Sequence, residues 1–407
     1  MTVVSPPSPI SRFRALGACA FVLVCGPACG GGGGAPPPSG TSPFDLPEVV
    51  NSGGPVLSAP RVQPIYFPGF AFQTDVDTFL SKLPGSTYWP AVVSEYGVGA
   101  LTILPSHVSS VNSGASQTDT SMAGLLAQVF AADGAALGTP SGDTIYLLLF
   151  PSSTTITAQG QVMCGDSAPS GFHTEFSLNG TNVPGIVLPS CPTFAGDSTL
   201  TGVNVLTPTI SHEIIESATD PLTNTQPAYF DVDERHAIWS VAINGGEVAD
   251  LCENETPDLI TPADIGYPVQ RIWSNAAANA GTSPCVPVPP GELFFIAVPS
   301  LPSQVSVSRD GKTFLVPALT ATLGATANVS VSLHSENNGV PSWVVGALEF
   351  HSDSTSLPPP MSLVGQTGQN VRLTVVPNQV ASGLFPLIIA SASQNAVHFW
   401  IGAIDRN

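Results

Sequence analysis

Thr209-Ile210-Ser211-His212-Glu213-Ile214-Ile215-Glu216-Ser217-Ala218-Thr219-Asp220-Pro221 places a histidine and two glutamates within two helical turns. Four residues separate His212 from Glu216, so a helix puts both on one face, with Glu213 one step round. This is the layout of the zinc-peptidase helix H-E-x-x-H with its second histidine exchanged for glutamate. Thr207 as N-cap and Pro208 at the first helical position open the helix, and Pro221 closes it near Asp220.

On such a helix His212 and Glu216 are the natural first two ligands of a divalent cation. Glu213 is then the general base for water whose pKa the cation lowers towards ~7. The motif points to zinc, although a glutamate in the second-histidine place suits a harder ion. A third ligand has two sources. Asp220 leaves the helix at its end, while Glu247 and Asp250 lie three apart in Gly245-Gly246-Glu247-Val248-Ala249-Asp250-Leu251-Cys252-Glu253 and are expected to share one face of a helical turn. Glutamate-type zinc peptidases take their third ligand from a second helix of this kind, which favours that segment over Asp220. His173 reads as a structural histidine of an edge strand, and Asp231-Val232-Asp233-Glu234-Arg235-His236 as a solvated acidic turn without the calcium-loop pattern.

Bulk properties narrow the partners. The chain has 407 residues, 43% of them apolar, with 29 acidic against 10 basic residues and a net charge of -19. That length and apolar content allow two domains with cores of their own. The charge excludes nucleic acid and anionic lipid surfaces, which need clustered Lys or Arg, and favours cations.

Arg12 and Arg14, the apolar run 15–24 and the small residues before Cys29 read as a secretory signal. Cys29, following Ala28 and preceding a Gly/Pro/Ser stretch, resembles the lipidated residue of a bacterial lipoprotein, with Cys25 close by as the other candidate for the mature N-terminus. No later apolar run is expected to reach the length of a spanning helix, so a lipid anchor on Cys29 is the expected tie to a membrane. Cys164, Cys191, Cys252 and Cys285 remain in the exported part. Pairing neighbours, Cys164 with Cys191 and Cys252 with Cys285, closes the shortest loops of the three possible arrangements.

The expected organisation is a signal over 1–29, a linker over 30–60, an α/β (α+β) zincin-like domain over 61–287, and an all-β immunoglobulin-like sandwich over 288–407. In the first domain, Val62–Phe67 reads as a strand. Asp75–Leu83, Ser86–Tyr96 and Thr118–Ala132 read as helices, the second capped by Ser86. Thr144–Phe150 is apolar on both faces and reads as the central strand of a covered sheet, with Phe172–Phe176 at an edge. After Pro290 the runs Leu293–Val298, Asn328–Leu333, Asn370–Val376 and Ala396–Ile401 alternate as short strands, which suggests the sandwich and an accessory role for it.

Taken in order, several segments resemble one family. Ser211-His212-Glu213-Ile214-Ile215-Glu216 with Asp220-Pro221, then Gly246–Glu253, then Ile272-Trp273-Ser274 and Cys285, are similar to the successive motifs of the EXORDIUM-like (phosphate-induced protein) family. Upstream, Tyr146–Phe150, Cys164-Gly165 and Gly171-Phe172-His173-Thr174 resemble the same family. The resemblance spans about residues 60 to 286 and implies a secreted or cell-wall protein with a zincin-like helix. Ser211 and Asp220, where plant members carry Gly and Asn, and the added C-terminal part are departures from it.

Two functions are therefore expected. One is an exported surface lipoprotein whose zinc site hydrolyses a peptide or acts on a cell-surface polymer. The other is a non-enzymatic extracellular protein in which the same residues are structural and the sandwich contacts a glycan or a protein.

Overall fold

The computed structural model describes residues 42–164, 169–194, 199–309, 312–340, 342–349, 363–375 and 382–407. The signal, Cys25, Cys29 and the first part of the expected linker lie outside the described residues. The fold is mixed α/β and mostly β.

Thr144–Phe150 is the centre of the first sheet, and all seven residues are buried. Its side chains alternate between two cores. Ile145, Leu147 and Leu149 meet the helix Thr207–Thr219 through Ile210, Ile214 and Ile215. Tyr146, Leu148 and Phe150 meet the helix Asp119–Leu137 through Met122, Leu125, Leu126 and Val129. A strand buried on both faces needs no polar alternation, and for that reason the run reads as continuous apolar sequence. Strands Arg61–Tyr66 and Thr181–Pro189 flank it in parallel, and Phe172–Leu178 pairs antiparallel with Thr181–Pro189 at the expected edge.

The helix that carries His212, Glu213 and Glu216 begins at Thr207, one residue earlier than expected, and ends at Thr219 with Asp220 as its C-cap. Thr207 does not cap it. Its hydroxyl donates to the Pro268 carbonyl at 2.8 Å instead. Every residue of this helix is buried, so His212, Glu213 and Glu216 sit in the interior rather than on a wet face. Burial of the three isoleucines, roughly 1.5–3 kcal/mol each, offsets part of the cost of placing those polar groups there.

Other helices are shorter or longer than expected. Gln73–Lys82 matches the first within two residues. The second divides into an α-helix, Tyr88–Val93, and a 3-10 turn, Ser94–Tyr96, although the Ser86 hydroxyl does accept from the Trp89 amide as expected. Asp119–Leu137 extends five residues beyond Ala132, and at 19 residues is long and apolar enough for a membrane span by composition, contrary to expectation. One of its faces is packed on the sheet, as in a core helix.

The expected linker is corrected from residue 42 onward. Leu46, Val49 and Leu57 are buried, and Val49-Val50 forms a short antiparallel pair with Asp231-Val232. The acidic turn 231–236 is likewise not solvated. Asp233 is buried and accepts from the Glu48 amide, while His236 lies between the Asp233 carboxylate (Nδ1–Oδ2 2.8 Å) and the Asp45 carbonyl (3.0 Å).

Burial alone would depress the His236 pKa, but Asp233 and Asp45 outweigh it and raise the ring to about 9. A folded pKa above the unfolded one stabilises fully below about pH 6.5, and that contribution is lost as pH rises through 9. Stability of the native chain is therefore expected to fall by up to on the order of 3 kcal/mol between pH 7 and 10. His236→Gln should flatten that interval in urea unfolding, and parallel profiles for the two proteins would count against the assignment.

The C-terminal strands form two sheets. In one, Phe295–Ser300, Ala327–Ser335 and Asn370–Val375 run antiparallel, with Val329, Val331 and Leu333 inward and Asn328 and Ser330 outward. The other has six strands and is antiparallel except where Lys312–Ala321 meets Val397–Arg406 in parallel. This part is joined closely to the rest. The Trp400 indole donates to the Phe44 and Asp45 carbonyls, and Glu255 accepts from the Phe399 amide and pairs with His398 Nδ1 at 2.6 Å.

Both expected disulfides are present, Cys164–Cys191 and Cys252–Cys285. They are bonds suited to an oxidising, extracellular compartment.

Candidate metal centre

The buried helix lines a cleft of about 650 Å³ with Thr209, His212, Glu213 and Glu216, and the walls also carry His173, Glu247, Asp250, Glu253 and Gln270. His212 Nε2 lies 2.8 Å from Glu216 Oε2, as the spacing of four requires. Its Nδ1 is 3.0 Å from Gln270 Oε1, and the Gln270 amide nitrogen donates to the Ala249 carbonyl at 2.7 Å. The imidazole is thus locked between the helix and the segment 249–270. Glu216 spends its other oxygen on the Ala249 amide at 3.1 Å, which ties the same two segments together.

Of the third-ligand candidates, Asp250 joins this pair. His212, Glu216 and Asp250 offer ligand atoms that all lie within 4.8 Å of one another. The expected second helix is absent. Residues 246–249 turn irregularly into a 3-10 turn, Asp250–Cys252. Asp250 is aimed by its backbone contacts instead: Oδ2 accepts from the Gly246 and Glu247 amides at 2.8 and 3.0 Å, leaving Oδ1 3.8 Å from His212 Nε2. A β-carbon at Gly245 would lie 2.3 Å from Asp250 Oδ2, so only glycine leaves room for this inward carboxylate. Glu247 and Asp250 consequently do not share one helical face. Glu247 points to His173 and Asp250 to His212.

His173 is the residue that sequence reasoning misplaced. On the edge strand it reaches the middle of the cluster, with Nδ1 3.3 Å from Glu213 Oε2 and 3.5 Å from Glu216 Oε2, and Nε2 3.3 Å from Glu247 Oε1. The order Gly171-Phe172-His173 was the available signal, since Gly171 lets the strand approach Thr209 of the helix, where a β-carbon would come within 2.6 Å. Gln270 and Glu253 carried no such signal. Asp220 is wholly buried, with Oδ1 accepting from the Ala228 amide at 2.6 Å, and it groups with His173 and Glu247 rather than with His212.

Burial disfavours the charged form of both site histidines, yet the carboxylates outweigh it and hold both well above the ordinary histidine value: Glu247 and Glu213 for His173, Glu216 for His212. Glu216 is correspondingly lowered despite its burial. Asp250 and Asp220 are raised chiefly by burial, and Glu247 is pushed up to about 7 by burial. A cation that ligates such imidazoles displaces their protons and takes over the carboxylates that held them.

The C-terminal strands complete the cleft. Val307, Ser308, Arg309, Leu384 and Pro386 line it, with Arg309 paired to Asp231 at 2.8 Å. The part expected to be accessory therefore contributes a wall of the site.

No family model matches the sequence, and no curated protein sequence does. Among solved structures the chain is similar to a β-glucosidase from Listeria innocua at 9% identity and a TM-score of 0.18, over 86% of this chain and 46% of that one. A β-glucosidase from the same organism in complex with isofagomine gives 9% identity and a TM-score of 0.17, over 86% and 47%. The chain spans about half the length of these structures, and at such scores the likeness bears on neither fold nor activity.

Proposed function

We propose that this is an exported hydrolase of zincin type, with a divalent cation held by His212, Glu216 and Asp250 and with Glu213 as general base. The observation that carries the reading is the convergence of those three ligands on an open cleft with Glu213 beside them. An imidazole and two carboxylates suit zinc, and the cation when bound supplies Lewis-acid activation of water. Gln270 and the Ala249 backbone orient the ligands from behind, as outer partners of metal sites do. His173 holds Glu213 through its Nδ1.

The resemblance to the EXORDIUM-like family supports an extracellular setting, and a lipid on Cys29 would tether the chain there. Under this reading the first sheet with its buried H-E-x-x-E helix is zincin-like and the C-terminal sheets are an immunoglobulin-like sandwich that forms one wall of the substrate cleft. A cleft bordered by the edge strand Phe172–Leu178 suits an extended polymer, a peptide being the first to try, because an edge strand offers backbone pairing to a chain laid along it.

Zinc analysis of the purified protein after back-loading tests the site directly. His212→Ala is expected to retain at least one equivalent less zinc than the native protein, and equal content in the two would sink the assignment.

A further inference from the structure

Three buried polar atoms beside the first cluster make no well-formed hydrogen bond: Oδ2 of Asp220, which has no partner, and Nε2 of His173 and Oε1 of Glu247, which face each other at 3.3 Å. They come from an edge strand, a helix C-terminus and the loop after Gly246, three separate elements. Asp220 is 0% exposed and the His173 side chain 5%, so water does not readily satisfy these two, while the Glu247 side chain, 14% exposed, faces the cleft. Their residues offer ligand atoms that all lie within 4.8 Å of one another. Leaving a buried polar atom unpaired costs about 1–3 kcal/mol, more for a charged group, so three aimed at one place call for a common partner.

We propose that His173, Asp220 and Glu247 hold a second divalent cation, next to the one at His212, Glu216 and Asp250. That it is the second of two rests on the reading of the first. The atoms that carry it are different ones.

The division of labour on His173 fits. Nδ1 lies 3.3 Å from Glu213 Oε2. With that nitrogen donating to the carboxylate, Nε2 keeps its lone pair and faces Glu247 and Asp220. A carboxylate on one ring nitrogen and a cation on the other is the usual arrangement of a ligand histidine, and it fixes the tautomer. Asp220 divides in the same manner, Oδ1 accepting from the Ala228 amide and Oδ2 unspent.

Charge points the same way. Glu213, Glu216, Asp220, Glu247, Asp250 and Glu253 surround two imidazoles, and ligation requires those imidazoles neutral. Arg309 is the one Lys or Arg lining the cleft among the described residues, and it is engaged with Asp231. A single divalent cation leaves most of that negative charge uncompensated. One imidazole with two carboxylates fits zinc or manganese better than calcium. The second cation would hold His173, and through it Glu213, in place.

The test is calorimetric titration of the metal-stripped full chain with Zn²⁺ alone, with circular dichroism of each stripped variant to establish that it is folded. Native protein is expected to take two equivalents. Glu247→Gln, which keeps shape and volume, and His173→Ala are each expected to lose one, and His212→Ala to lose the other. One equivalent in the native chain, lost in His212→Ala but kept in Glu247→Gln and His173→Ala, overturns the second site and leaves the first. One equivalent lost in Glu247→Gln and kept in His212→Ala overturns the first-site reading instead, and with it the pair. No zinc in the native chain overturns both.

Discussion

Glu213→Gln is expected to leave zinc binding at His212, Glu216 and Asp250 intact while lowering peptide hydrolysis at least 100-fold. The substitution preserves volume and removes only the ability to take a proton. General-base catalysis contributes typically 10²–10⁴-fold, so its loss shows in kcat rather than KM. Glu213 groups with His173 and Glu216 rather than with Asp250, and its Oε2 is held 3.3 Å from His173 Nδ1. The assay is cleavage of a quenched-fluorescent peptide library by zinc-loaded protein, with metal content measured on the same samples. A native protein that binds zinc and cleaves nothing overturns the hydrolase reading and leaves the cation site standing. An active Glu213→Gln variant removes Glu213 from its role.

Arg271→Met is expected to destabilise the fold by about 3–5 kcal/mol, the typical result of breaking a buried ion pair from one side. Arg271 is 0% exposed and fully engaged. Its guanidinium pairs with Glu292 at 2.8 Å and donates to the carbonyls of Cys285 and Pro257 and to the Ser283 hydroxyl. Methionine fills the volume but leaves the buried Glu292 carboxylate and those acceptors unpaired. Arg271 directly follows Gln270, the clamp on His212, within the segment closed by Cys252–Cys285. Arg271→Lys should recover part of the loss, because it restores the charge without the planar fork. Chemical unfolding checks the series, and a cost under about 1 kcal/mol for Arg271→Met would falsify the view that this network secures the segment.

Local pattern carried much of the first sheet into view. Thr144–Phe150 is legible because a strand covered on both sides is apolar in an unbroken run, here from Ile145 to Phe150, and the H-E-x-x-E helix because its ends are marked by Pro208 and Pro221. The pairing of the four described cysteines followed from loop length. What failed was inference about contacts distant in sequence. Residues 42–60 resemble a linker in composition, yet Leu46, Val49 and Leu57 find a buried surface formed in part nearly 200 residues later. Asp233 and His236 look solvated until Glu48 and Asp45 are brought to them.

The proposed ligand pair His212–Glu216 and the position of Glu213 beside it are set by the sequence itself, because a period of 3.6 residues fixes which side chains share a helical face. Which carboxylate completes the pair was a tertiary decision. Asp250 meets the pair because Gly245 leaves room for its carboxylate and the Gly246 amide holds it, and Asp220 is turned elsewhere by the Ala228 amide. His173 is the plainest case. On an edge strand its one local signal is the preceding Gly171, and only the packing of that strand beside the helix puts its two ring nitrogens between Glu213 and Glu247. A helix repeat is short-range geometry and can be read along the chain, whereas convergence of separate elements depends on how the whole core packs.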